Sequence, residues 1–502
     1  MDDRSPAPAP PLAAPLGFWL LIALLAVVAG GKAILYDTLD PDCFWHLRVA
    51  QQLEHDGIGP IIDHLSFASS PQPWTPYSWL GEIGMKTIWD HGGYRAAIAT
   101  QALMQASLVI FLALSCLELQ RQVGQPRYLA VVVATAAGAY LTLPYLSFRP
   151  VTAALVILSA CTWLILRDRR MNEKSRAVWW IVPLTALLTN IHLFSFFVPL
   201  VFLAMVLGSW MESSKESMKR YALLTVATTA AFLATPMLPG LLRTIFFYSH
   251  KDQMVAGPMI AEMQSFARGP MGIAAGVIVV VIAVCIAAHY RRLRPAEAIC
   301  LIAGGLLLFK LGRFAPLFAM AAAPALALTF PQLNDRLLRR PALICIFAII
   351  LGCGLWNVAT AFPTSSRPLA SWLNRHGPDT PGYPCAAADF VERSVPRSTG
   401  KLINEFSWGG YLSWRLQNEY QILLDGRTQV YPQQVWQATY LGSDSDREKF
   451  LATITADAAV LPAGKSQFRP ALEHLGWTTA FTDERSIVML PPPSVARIEP
   501  DP

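Results

Sequence analysis

The sequence predicts a mainly α protein: a polytopic transmembrane helical domain of about eleven spans, residues 1–362, followed by a C-terminal extracytoplasmic α/β domain, residues 363–502. Three observations predict it. Of the 502 residues, 54% are hydrophobic and only 15% are charged, where a soluble domain carries about 25% charge. Apolar runs recur at lengths near the roughly 20 residues that a membrane span needs. After residue 362 those runs stop, charge density rises, and strand-like and helical stretches alternate. This composition excludes a soluble enzyme throughout and a disordered chain. A net charge of only +6, spread along the chain, excludes a nucleic-acid binder.

The hydrophobic segments lie near 14–31, 95–117, 128–145, 150–166, 177–191, 193–210, 221–236, 271–290, 296–309, 314–330 and 342–362. The first reads as an uncleaved anchor, because Lys32 and the acidic stretch after it lack a small-residue cleavage pattern. The fifth and sixth are either two spans or one broken unit. Lys and Arg collect in alternate loops: Arg121 and Arg127; Arg167, Arg169, Arg170, Lys174 and Arg176; Lys215, Lys219 and Arg220; Arg291, Arg292 and Arg294; Arg336, Arg339 and Arg340. By the positive-inside rule that side is cytoplasmic. The N-terminus is then inside, and the tail and a long first loop, 32–94, are outside, consistent with a multi-pass bacterial inner-membrane protein. In the tail, strands are expected at 401–404, 421–424, 458–461 and 486–490, with helices at 384–394 and 467–475. Six of the eight cysteines sit in apolar runs, leaving only Cys43 and Cys385, so neither a disulfide framework nor a zinc spacing is present.

Polar groups gather at the outer helix ends rather than at mid-membrane, which describes a site opening at the outer surface. The first loop reads Asp40-Pro41-Asp42-Cys43-Phe44-Trp45-His46-Leu47-Arg48. Pro41 suits a first helical position, with Asp40 as its cap. Asp42 is then a carboxylate at the membrane surface, fit to act as a general base or to hold a divalent cation. His46 and Arg48 suit phosphate oxygens, with an interfacial anchor the plainer role for Arg48. Asp63 and Glu82 follow as weaker candidates. Further outer turns contribute Arg149, His192 and Arg313, and a second outer loop near 237–270 contributes Glu262.

Asp42-x-x-x-His46-Leu47-Arg48 after a first membrane helix, with Asp63-x-x-Ser66-Phe67 some fifteen residues on, resembles the first outer loop of the GT-C glycosyltransferases, above all the oligosaccharyltransferase catalytic subunits. The tail adds Phe406-Ser407-Trp408-Gly409-Gly410-Tyr411 and Asp425-Gly426-Arg427-Thr428, similar to that family's aromatic segment and following turn, and closer still to a broad group of bacterial membrane proteins with the Trp-Gly-Gly-Tyr and Asp-Gly-Arg signatures. The resemblance implies a sugar moved from a polyprenyl-phosphate-linked donor to a glycan, lipid or protein acceptor. Asp42 would be the base, with Asp40 its alternative, and the centre would invert. Substrate would meet His46, Arg48, Glu82, Arg149, His192, Glu262, Arg313, Trp408, Tyr411, Asp425 and Arg427. The family's second acidic pair is replaced by Ser147-Phe148-Arg149-Pro150. A divalent cation (Mg or Mn, on Asp42 and Glu262) is therefore an open expectation, since related transferase types work without metal; no other cofactor is expected. In Trp408-Gly409-Gly410-Tyr411 the aspartate of the sequon-reading motif is missing, so asparagine-linked transfer is not implied. The plainer reading of the tail motif is structural: a tight turn at Gly409-Gly410, core aromatics, and a hairpin turn at Asp425-Gly426. Two rivals stand beside the transferase. A flippase of lipid-linked oligosaccharide would show ionisable residues at mid-membrane and a repeated half. A non-catalytic envelope assembly protein would tolerate loss of Asp42.

Overall fold

The first membrane helix, α1 (Leu16–Leu35), leads directly into the short polar helix α2 (Pro41–Asp56). The computed structural model describes residues 14–36, 39–124, 126–248, 264–267, 269–364, 369–373 and 382–493. As expected, Pro41 opens α2 and Asp40 caps it, its side chain accepting from the Asp42 amide at 2.9 Å. α3 (Trp79–Gln122) has 44 residues, about 66 Å at 1.5 Å per residue and twice a bilayer core. It breaks at Gly93, whose φ of 60° and ψ of −155° leave the helical region. The stretch before the break carries Glu82; the apolar stretch lies beyond it.

The helices that follow are α4 (Tyr128–Thr142), α5 (Pro150–Arg170), α6 (Ile181–Thr189), α7 (Phe197–Met211), α8 (Lys215–Phe232), α9 (Leu238–Arg243), α10 (Gly269–His289), α11 (Pro295–Lys310), α12 (Ala315–Thr329) and α13 (Pro341–Ala361). Each of the eleven expected segments falls on a helix, but among the described residues eight helices are long and apolar enough to cross a membrane. Three fall short of the expectation for physical reasons. α6 with the turn before it, Arg176–Thr189, is short. α8 opens with Lys215, Glu216, Lys219 and Arg220, and α11 has 16 residues. The fifth and sixth segments prove to be two helices parted by the turn Asn190-Ile191-His192. α3 packs on α1 and α5, α12 on α4, and α7 on α8. At the ends bearing the cationic loops, buried Asp168 accepts from Arg220 at 2.9 Å and from the Ser175 amide at 2.9 Å.

The tail forms a five-stranded mixed sheet in the order β2-β1-β3-β5-β4. β1 (Lys401–Asn404) is parallel to β2 (Gln421–Ile422) and β3 (Ala458–Pro462); β5 (Ser486–Leu490) is antiparallel to β3 and to β4 (Thr478–Thr482). β3 and β5 are buried on both faces, so their sequences read as continuous apolar runs. α14 (Cys385–Ser394) and α15 (Gly409–Leu416) contribute to the core on one face, α16 (Asp444–Ala452) and α17 (Arg469–His474) to that on the other. The expected strand at 421–424 is only two residues long because Leu423 and Leu424 bond to the Asn404 side chain instead. β4 escaped sequence reading because Thr478-Thr479-Ala480-Phe481-Thr482 is a largely exposed edge.

The first loop and the tail share both apolar cores. One joins Leu39, Phe44 and Leu47 of the loop to Trp408, Tyr411 and Leu412. The other joins Trp45, Ile61 and Trp74 to Leu423, Leu424 and Tyr431. The loop also extends the sheet: the Ile422 amide donates to the Leu65 carbonyl at 3.0 Å, and the Ile422 carbonyl accepts in return from the Phe67 amide at 3.2 Å. Gly409 and Gly410 form no tight turn. They open α15, and a Cβ on Gly410 would stand 2.7 Å from the Pro41 carbonyl oxygen. A Cβ on Gly409 would overlap the Leu424 carbonyl. Gly409→Ala is therefore expected to lower stability by about 1–3 kcal/mol, read as a shift in thermal unfolding of the detergent-solubilised protein.

Candidate functional site

Asp42 and His46 lie four residues apart on α2 and so share a face. Asp42 Oδ1 accepts from Trp45 Nε1 at 2.9 Å, and Oδ2 accepts from Arg149 Nη1 at 2.7 Å. Arg149 Nε stands 3.6 Å from Asp40 Oδ2. The guanidinium is presented by a rigid turn. Pro150 begins α5, and Thr152 Oγ1 donates to the Ser147 carbonyl at 2.6 Å while accepting from the Ser147 amide at 3.1 Å.

His46 Nδ1 lies 3.1 Å from Glu82 Oε1, both buried. Burial, then the charges of Arg149, His192 and Arg427, hold the imidazole well below its ordinary pKa, so it is neutral at pH 7. His192 caps the turn before α7, its Nδ1 accepting from the Phe194 amide at 3.2 Å. That turn is tied to the start of α3 by Trp79 Nε1 donating to Asn190 Oδ1 at 2.8 Å.

These groups line a cavity of about 310 Å³. Asp42, His46, Glu82, Arg149, His192 and Arg313 all reach it, with Trp45, Trp74, Tyr77 and Phe406 supplying aromatic walls. From the tail come Gly426, Thr428 and Gln429. Gly426 is where the tail meets the carboxylate, since a Cβ there would overlap Asp42 Oδ1.

Other expected site residues lie elsewhere. Asp40 stands behind the cavity as the helix cap. Arg48 is buried on α2 and donates to Gln51, away from the cavity. Trp408 and Tyr411 are core residues, at 2% and 3% exposure. Trp408 Nε1 donates to the Gly382 carbonyl at 2.9 Å. Asp425 and Arg427 are fully buried and form no hairpin turn. Arg427 Nε donates to Asp425 Oδ1 at 3.0 Å and Oδ2 at 2.9 Å, and Nη1 reaches Asp63 of the first loop. Asp63 in turn accepts from the Leu65 and Ser66 amides at 3.2 Å each. Tyr431 donates to Asp425 Oδ1 at 3.1 Å. Burial works to lower the Arg427 pKa, but Asp425 and Asp63 hold it well above its ordinary value. Glu262 lies outside the described residues. Sequence reading passed over Trp45, Tyr77 and Gly426. The only signal for them was the aromatic density of the first loop and the glycine inside Asp-Gly-Arg.

Among the described residues no group of three His, Cys, Asp or Glu side chains is placed to hold a metal ion. Asp42 Oδ2 is taken by the Arg149 guanidinium, and Glu262, the other expected ligand, lies outside the described residues.

No family model matches the chain, and no curated protein matches it significantly. Solved structures do. The archaeal oligosaccharyltransferase AglB from Archaeoglobus fulgidus, in complex with an inhibitory peptide and a dolichol-phosphate, is 14% identical at a TM-score of 0.53, covering 95% of this chain and 74% of that one. ArnT from Cupriavidus metallidurans, bound to undecaprenyl phosphate, is 14% identical at a TM-score of 0.50, covering 97% of this chain and 100% of that one. At such identities the likeness shows the fold. The chain has a GT-C-type fold and is distantly similar to these GT-C membrane glycosyltransferases.

The buried triad is expected to hold loop and tail together. Asp63→Ala, which leaves the Arg427 guanidinium short of a partner in the core, should destabilise by about 3–5 kcal/mol. Limited proteolysis of the tail would report it as earlier cleavage.

Proposed function

We propose that the protein is a GT-C-type glycosyltransferase that moves a sugar from a polyprenyl-phosphate-linked donor to an envelope acceptor at the outer face of the bacterial inner membrane. The observation that carries this reading is the Asp42–Arg149 pair, 2.7 Å apart, on the wall of a cavity built jointly by helix ends and the tail. Its fold is that of enzymes captured with polyprenyl or dolichol phosphates, which supports a lipid-phosphate substrate in kind. The N-terminus is cytoplasmic in this reading, and residues 363–502 form the extracytoplasmic domain.

Arg149 and Arg313 line the cavity and act as the clamp on the donor phosphate, suited to it by their fork of donors. Asp42 accepts a hydrogen bond from the acceptor hydroxyl and aims its oxygen at the anomeric carbon. The hydroxyl's proton passes to a basic side chain of the cavity wall as the new carbon–oxygen bond forms and the bond to the phosphate oxygen breaks, and the electron pair leaves on the phosphate held by the arginines. A single displacement inverts the centre. The aromatic walls fit sugar faces, and Thr428 and Gln429 offer polar contacts to the acceptor. No step runs through a metal.

The test is transfer. Full-length protein in nanodiscs is given a panel of radiolabelled polyprenyl-phosphate sugars with envelope extract as acceptor. Wild type is expected to move label to acceptor, and Asp42→Asn to do so about 10²–10⁴-fold more slowly. Arg149→Ala should weaken retention of undecaprenyl phosphate, and EDTA should change nothing. Label that crosses to the other leaflet without reaching acceptor would overturn the reading in favour of a flippase. Full transfer by Asp42→Asn would remove that residue from the reaction.

A further inference from the structure

His46 and Glu82 face the cavity beside Asp42, yet neither has a task in the reaction as drawn. Their side chains are 9% and 2% exposed, and Nδ1 and Oε1 are 3.1 Å apart. Glu82 Oε2 is buried with no hydrogen-bond partner among the described residues. An ionised carboxylate has several lone pairs to satisfy, so this half-satisfied, desolvated group is better accommodated as a neutral acid. The imidazole is equally averse to charge. Arg149 from the turn before α5, His192 from the turn before α7 and Arg427 from the tail all disfavour imidazolium, and burial does so more strongly still. Asp42, on its own helix, has its two oxygens turned to Trp45 and Arg149.

A pair in which neither partner keeps a charge comfortably can still pass a proton. It enters the ring at Nε2 and leaves at Nδ1, and the imidazole is neutral before and after, with only its tautomer changed. We propose that His46 and Glu82 form a proton relay that takes the acceptor hydroxyl's proton as the glycosidic bond forms, with His46 the catalytic residue and Glu82 the positioning residue that finally holds the proton. This rests on the transferase reading and deepens it: Asp42 orients the hydroxyl, and the relay removes its proton.

The step balances. The acceptor O–H bond breaks and its proton bonds to His46 Nε2, while the Nδ1 proton passes to Glu82 Oε1. The hydroxyl oxygen's electron pair forms the new bond to the anomeric carbon, and the old bond's pair leaves on the donor phosphate. The reactive form is the one with Glu82 ionised; it ends neutral, the form its buried site favours, the phosphate gains one negative charge, and Glu82 returns its proton to water when product leaves.

The experiment uses the full chain in nanodiscs and whichever donor of the polyprenyl-phosphate sugar panel the wild type turns over. Glu82→Gln keeps the shape but accepts no proton, and His46→Ala removes the ring. Each is expected to cut kcat by about 10²–10⁴-fold while still binding undecaprenyl phosphate. Imidazole in the buffer should restore transfer to His46→Ala but not to Glu82→Gln. Wild-type transfer should rise with pH as Glu82 ionises, and that rise should vanish in Glu82→Gln. A Glu82→Gln protein that transfers at the wild-type rate with the wild-type pH profile overturns the relay and leaves the transferase reading intact. A wild type that transfers from no donor in the panel overturns the transferase reading, and the relay with it. Should either variant fail to fold, the wild type decides: slower transfer in heavy water supports the relay, and equal rates in light and heavy water overturn it.

Discussion

A single buried guanidinium organises the part of this molecule that the first loop and the tail build together. Arg427 has no exposure to water and bonds Asp425 of its own tail and Asp63 of the first loop. An isolated charge in that position would be prohibitively costly, and two carboxylates make it tolerable only when all three residues are in place. The triad therefore welds two parts of the chain that are 364 residues apart in sequence. Close beside it, Gly426 comes so near Asp42 that no side chain fits between. The position of the candidate carboxylate thus depends, through Gly426, on Arg427, which does not line the cavity.

The second constraint is close approach of backbones. Glycines at 410 and 426 bring the tail into contact with α2 and its carboxylate, and Gly409 lets α15 sit against Leu424 within the tail. Against that fixed partner, the turns at Ser147–Pro150 and Asn190–His192 present an arginine and a histidine from the membrane helices. Flat aromatic walls complete the cavity. The cavity brings together cations, carboxylates and imidazoles from the first loop, the membrane-helix turns and the tail.

Much of the membrane plan was legible because apolar length is a strong signal. Every expected segment is helical, and α2 begins at Pro41 with Asp40 as its cap. The two ends of β1 and β5 were also readable from apolar runs. What failed did so for identifiable reasons. α8 and α11 are too polar or too short to count as spans by themselves. β4 has no apolar run to betray it. In the site, Asp42, His46, Glu82, Arg149, His192 and Arg313 were readable as polar groups at outer helix ends, and they share one cavity. Asp425 and Arg427 looked like surface chemistry, because nothing local shows that Asp63 will bury them. Arg48 looked like a phosphate ligand because its direction around α2 depends on what the tail covers.

The parallel bridge between Ser66 and Ile422 carries a consequence for how the protein is made. A loop segment emerges early in synthesis, and its strand partner emerges more than three hundred residues later. Between them, among the described residues, lie seven of the eight helices long and apolar enough to cross a membrane. The first loop is therefore made with an open strand edge and with Asp63 lacking its Arg427 partner until the tail is made. The cavity can be completed only after Gln429 has been made, and a chain interrupted before Arg427 would have its helices without a finished cavity.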